Sequence, residues 1–127
     1  MARFLFDEDT QGVGKLIARA RQDVWVIGQS PCPITKKTPD EKWFPVAGKK
    51  QLIVFRKDKD LLDQRSAEYR SWSRHNCRGF VLVTQDQEIW TQLVTIIRFW
   101  DRIESHVADR PKGPWVGKIT ASGIQIV

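Results

Sequence analysis

Apolar and polar positions along the 127 residues follow two alternating periods. Short apolar runs occur at residues 3–6, from Asp23 to Ile27, at 52–55 and from Gly79 to Thr84. Each is bounded by charged or turn-forming residues, so each is expected to be a short buried strand. Between these runs the apolar residues recur at helical spacing. Val13, Leu16, Ile17 and Ala20 share one face of a helix running to about Arg21. Thr38-Pro39-Asp40-Glu41 reads as a helix start, with Thr38 as N-cap, Pro39 in the first turn and Glu41 closing a capping box. That helix should carry Trp43, Phe44 and Val46 and stop near Gly48. A third helix is expected from about Asp60 to Arg74, with Leu61, Leu62, Tyr69 and Trp72 facing the core. After the turn Gln85-Asp86-Gln87-Glu88 comes one long helix. Ile89, Leu93, Ile96, Trp100, Ile103 and Val107 form its seam, widened by Trp90, Val94 and Ile97. The seam should pack on the sheet, on a partner, or on both. Pro31 and Pro33 make residues 28–37 a loop, Pro111 and Pro114 break the last helix, and a terminal β-hairpin turns near Ser122-Gly123.

Strand and helix alternate four times before the hairpin. This predicts a single α/β domain over residues 1–127, a three-layer sandwich with a mostly parallel central sheet. Right-handed crossovers bring the carboxyl ends of the parallel strands to one edge, where open α/β sheets bind ligands. The acids collect at that edge: Asp7, Glu8 and Asp9 after the first strand, Asp40 and Glu41 after the second, Asp58 and Asp60 after the third, and Asp86 and Glu88 after the fourth.

Composition sharpens this picture. The chain is 41% hydrophobic, enough for a core, and carries a net charge of +6. Basic residues cluster at Lys36-Lys37, at Lys49-Lys50, at Arg56, Lys57 and Lys59, and at Arg65, Arg70, Arg74 and Arg78. An acidic pocket within a basic surface is the charge arrangement that a nuclease requires. No apolar run approaches the ~20 residues of a membrane span, and the N-terminus lacks the pattern of a secretory signal. Cys32 and Cys77 stand far apart with no metal-ligand spacing, which reads as reduced thiols in a cytoplasmic protein.

Several acids have an ordinary structural explanation. Glu41 suits the capping box, Asp40 suits the positive end of the helix dipole, and Asp60 and Asp86 could each cap a helix. Asp7 and Asp58 are the hardest to explain in this way, because each follows a buried strand. If those strands are neighbours, the two carboxylates face each other, which raises the pKa of one or requires a cation. Carboxylates with waters suit Mg2+ or Mn2+.

The stretches Phe4-Leu5-Phe6-Asp7-Glu8-Asp9, Thr38-Pro39-Asp40-Glu41-Lys42-Trp43 and Ile53-Val54-Phe55-Arg56-Lys57-Asp58-Lys59-Asp60 together resemble the compact PIN-like domains of VapC-type toxins. The resemblance runs from Ala2 to the terminal hairpin. It implies a metal-dependent ribonuclease, the toxin component of a toxin-antitoxin module, whose partner is a cognate antitoxin. Carried over by position, Asp7, Asp40, Asp58 and Asp60 become the catalytic and Mg2+- or Mn2+-binding acids. Asp9, Glu41 and Asp86 are additional candidates. Two positions depart from the family pattern: Arg56 replaces a hydroxyl residue and Asp9 replaces an asparagine. Lys57, Lys59, Arg65 and Arg70 are expected to steer RNA, and the seam of the long helix is the candidate surface for an antitoxin or a homodimer. Two alternatives stay open. One is a PIN-like module that binds its partner without efficient catalysis. The other is a phosphoacceptor receiver-like switch using Asp7, Asp9, Asp58 and Thr84.

Overall fold

Side-chain alternation along the strands decides which helices cover which face. The computed structural model describes residues 1–86 and 88–127; Gln87, in the turn expected before the long helix, lies outside the described residues. Six strands form one sheet in the order β2-β1-β3-β4-β5-β6: β1 Phe4–Phe6, β2 Val24–Val26, β3 Ile53–Arg56, β4 Arg78–Leu82, β5 Trp115–Thr120 and β6 Gly123–Ile126. All neighbours pair in parallel except β5 with β6. The expected mostly parallel α/β sheet and terminal hairpin are therefore present. The hairpin extends the main sheet, because β5 also pairs in parallel with β4.

Phe4, Phe6, Ile53, Phe55, Phe80, Leu82, Trp115 and Ile119 point to one face and join a single core cluster with Val13, Ile17, Ile96, Phe99 and Ile103. That face is covered by α1 (Gln11–Ala20), α4 (Ile89–Arg98) and α5 (Trp100–Asp109). Leu5, Val54, Val81 and Val116 point the other way and pack with Trp43, Phe44, Ala47, Leu61 and Trp72. There the cover is α2 (Asp40–Lys49) and α3 (Ala67–Arg74). The period of two also fixes the direction of Arg56. It lies two residues beyond Val54, on the side of α2 and α3.

Three expectations need correction. The capping box at Thr38 does not form. The N-cap of α2 is Pro39, with no side-chain cap, and the Thr38 hydroxyl instead donates to Thr35 O at 2.7 Å. A threonine beside an open upstream carbonyl has a local alternative to capping. The helix expected from Asp60 is two pieces, a 3-10 turn at Lys59–Leu62 and α3, with Asp63 extended between them. Ser66 makes the break: its hydroxyl donates to Asp60 O and accepts from Tyr69 N, capping the new helix. The long last helix is also two, α4 and α5, jointed at Phe99. No glycine or proline lies between Ile89 and Asp109, so packing sets this joint. Phe99 turns into the core, while Trp100 lies against the ring of Phe4, 4.9 Å between centroids.

The joint divides the seam. Ile96 and Ile103 are buried against the sheet, whereas Leu16, Ile89, Trp90, Val94 and Ile97 are exposed along α1 and α4. No helix among the described residues is long and apolar enough to cross a membrane. Both cysteines are free thiols, with Cys77 buried and donating to Phe44 O.

Two substitutions test the layering. A Cβ on Gly79 would stand 2.1 Å from Val54 O in the neighbouring strand, so Gly79→Ala should cost about 3 kcal/mol of unfolding free energy in urea titration. Trp90, 70% exposed, should tolerate replacement by serine within about 0.5 kcal/mol.

Candidate active site at the carboxyl edge of the sheet

Strand order reverses around β1, which lies between β2 and β3. The ends of β1 and β3 are therefore held side by side at the switch point where α/β sheets bind ligands. Asp7 N donates to Phe55 O at 3.0 Å, and the buried Thr10 hydroxyl lies 3.1 Å from the same oxygen. The chain then winds a 3-10 turn, Glu8–Thr10, over the junction. Asp7 caps this turn by accepting from Glu8 N, and Asp58 caps the turn after β3 by accepting from Asp60 N. Asp9 ties the two together. Its Oδ2 accepts from Lys57 N at 2.9 Å and Asp58 N at 3.1 Å.

The acids surround a cation that belongs to the chain. Arg56, the last residue of β3, is only 4% exposed. Its Nε lies 3.3 Å from Asp7 Oδ2, and its terminal nitrogens lie 3.3 Å from Asp40 Oδ2, 3.2 Å from Asp58 Oδ2 and 4.0 Å from Glu68 Oε2. The rings of Phe44 and Trp43 flank the guanidinium at 5.5 and 5.9 Å. Asp40 is oriented from its other oxygen, which accepts from Trp43 Nε1 at 3.1 Å. Burial opposes the Arg56 charge, but Asp7, Asp40, Asp9 and Asp58 outweigh it and raise its pKa.

One guanidinium does not balance this many carboxylates. Burial pushes the Asp7 carboxyl up to about 6, with Asp9 adding to the rise and Arg56 opposing it. Glu68 is pushed up to about 7, first by a hydrogen bond shared with Asp40, then by burial and the Asp40 charge. Glu68 Oε2 makes no hydrogen bond.

Of the expected site acids, Asp7, Asp40 and Asp58 converge on one point, and Asp9 braces it. Asp60 is exposed in its turn, its backbone N–H held by Asp58 and its carbonyl by Ser66. Glu41 is exposed in the first turn of α2. Asp86 serves helix α4 instead: its carboxylate accepts from Glu88 N and lies 3.3 Å from the Thr91 hydroxyl. The Thr84 hydroxyl donates to the carbonyl of Asp86. Lys59, Arg65 and Arg70 are exposed, and Lys57 is half-buried beside Asp9 and Asp58. Sequence reading missed two members, Arg56 as the hub and Glu68. The parity of β3 was a usable signal for Arg56. Glu68 had a signal as well: it stands four residues before the buried Trp72, on the same side of its helix.

Among the described residues, no three or more His, Cys, Asp or Glu side chains stand as a group able to hold a metal ion. The donors gathered here are carboxylate oxygens, the ligand type that hard divalent cations take, and in this structure they face Arg56, with Glu68 Oε2 4.0 Å from it and without a hydrogen bond. No family model, curated protein or solved structure matches the chain.

The raised carboxyls predict a pH dependence of stability. Between the unfolded value near 3.8 and the folded value of about 6, folded Asp7 keeps a proton that the unfolded chain releases, and Glu68 does the same up to about 7. Stability should therefore fall as pH rises from about 4 to about 7. Asp7→Asn should remove part of that fall. It should be more stable than the parent at neutral pH, by up to about 3 kcal/mol, and equal to it near pH 3.5. Urea unfolding across this range is the check, and a variant less stable at neutral pH would contradict the account.

Proposed function

We propose that the protein is a ribonuclease dependent on Mg2+ or Mn2+, with its catalytic centre at Asp7, Asp40, Asp58 and Glu68 and with Asp9 bracing the junction of β1 and β3. The observation that carries this reading is the convergence of these acids, from two strand ends and two helices, on one point at the switch of strand order. The carboxylates would hold the ion. A divalent ion there supplies Lewis-acid stabilisation of charge on a phosphodiester and lowers the pKa of bound water. Lys59, Arg65 and Arg70 lie on the segments that carry Asp58 and Glu68, where their charges draw a phosphate backbone toward the acids. Single-stranded or looped RNA is the favoured substrate, because its bases are open to contact.

The assignment as the toxin of a toxin-antitoxin module rests on the resemblance to VapC-type PIN-like domains. The exposed apolar face of α1 and α4 supports a protein partner, an antitoxin or a second copy, by offering it surface to bury. The alternative of a partner-binding module with weak catalysis draws on Arg56, whose charge stands among the same acids.

Purified protein, freed of any partner, should cleave a mixed structured RNA pool in Mg2+ or Mn2+ and stop in EDTA. Asp7→Asn and Asp58→Asn, both checked for folding, should each lower the rate by about 100-fold or more. Cleavage that survives EDTA or both substitutions would place the chemistry elsewhere. Intact RNA in both metals would favour the partner-binding module.

A further inference from the structure

The placement of Arg56 bears on how any ion reaches these carboxylates. Arginine at the end of a buried strand is costly to desolvate, and such a charge persists only where acids compensate it. Arg56 meets that condition with several partners at once. Its terminal nitrogens donate to Asp40 Oδ2 at 3.3 Å and to Asp58 Oδ2 at 3.2 Å, while its Nε, 3.3 Å from Asp7 Oδ2, makes no hydrogen bond and Glu68 Oε2 stands 4.0 Å away. One planar fork is spread over carboxylates from β1, α2, β3 and α3, which it serves as a shared counter-charge.

We propose that Arg56 is the resident counter-ion of this cluster and that a divalent cation binds by displacing its guanidinium from Asp7, Asp40 and Asp58. The inference rests on the reading of these acids as the metal site and adds the residue that sets the site's affinity. Metal and guanidinium compete for the same oxygens, so the native site binds divalent ions more weakly than its carboxylates alone would. The same competition holds the acids together when metal is scarce.

Calorimetric titration of the full chain with MnCl2 at fixed ionic strength tests this without relying on activity. Arg56→Gln should bind Mn2+ at least about tenfold more tightly than the parent, because a positive charge within ~4 Å of the ligands is gone. Its melting temperature should be lower without metal and should rise more on adding Mn2+. If Arg56→Gln does not fold, Arg56→Lys replaces it. A compact ammonium keeps the charge but cannot span the same carboxylates, so affinity should rise by a smaller factor. A parent that binds Mn2+ and cleaves RNA, with an Arg56 variant of equal or weaker affinity, would overturn the inference and leave the nuclease reading standing. No Mn2+ binding by parent or variant would overturn both.

Discussion

A full positive charge kept out of water must be surrounded, and much of this fold's carboxyl edge is arranged to surround Arg56. Taking a guanidinium from water is worth several kcal/mol of penalty, which only well-placed acids offset. Asp7 and Asp58 reach it from the ends of adjacent strands, Asp40 from α2 and Glu68 from α3. Phe44 and Trp43 close the apolar side. The arrangement overshoots: Asp7 and Glu68 both become reluctant to ionise. Excess buried negative charge works against stability, because each carboxylate beyond the first must share the one guanidinium.

The junction of β1 and β3 makes that arrangement possible. Thr10 lies buried over the end of β3 and is bonded at both sides of the junction, and Asp9 holds the turn that carries Asp58. These contacts hold the carboxyl ends of two strands in fixed relation, so the acids that follow them meet. Away from this edge the molecule is conventional. Each strand sends alternate residues to two apolar layers, and the face of α1 and α4 retains open apolar surface.

Much of the fold was legible because buried parallel strands leave short apolar runs and helices leave a wider period. The runs at 3–6, 52–55 and 79–84 became β1, β3 and β4 within a residue or two at most ends. Competition between local hydrogen bonds and capping was harder to see. Thr38 prefers Thr35, and Ser66 restarts a helix that the apolar pattern alone would run through from Asp60. At the site, Asp7, Asp40 and Asp58 were visible because strand-end acids share one edge in a parallel sheet. Asp60 and Asp86 have the same signature, yet Asp60 is exposed and takes part in its turn through its backbone, and Asp86 caps the start of α4, distinctions that no spacing rule makes.

What the sequence by itself determined is the alternating order of strands and helices, the parallel sheet and the edge on which acids gather. These follow from side-chain periodicity and chain handedness, which are local properties. Only the tertiary structure decided that Phe99 breaks a continuous apolar seam, that Glu68 joins the acids and that Arg56 stands at their centre. Each depends on the relative placement of elements far apart in the chain, and the energy of a buried charge is set by those distant neighbours rather than by the residues beside it.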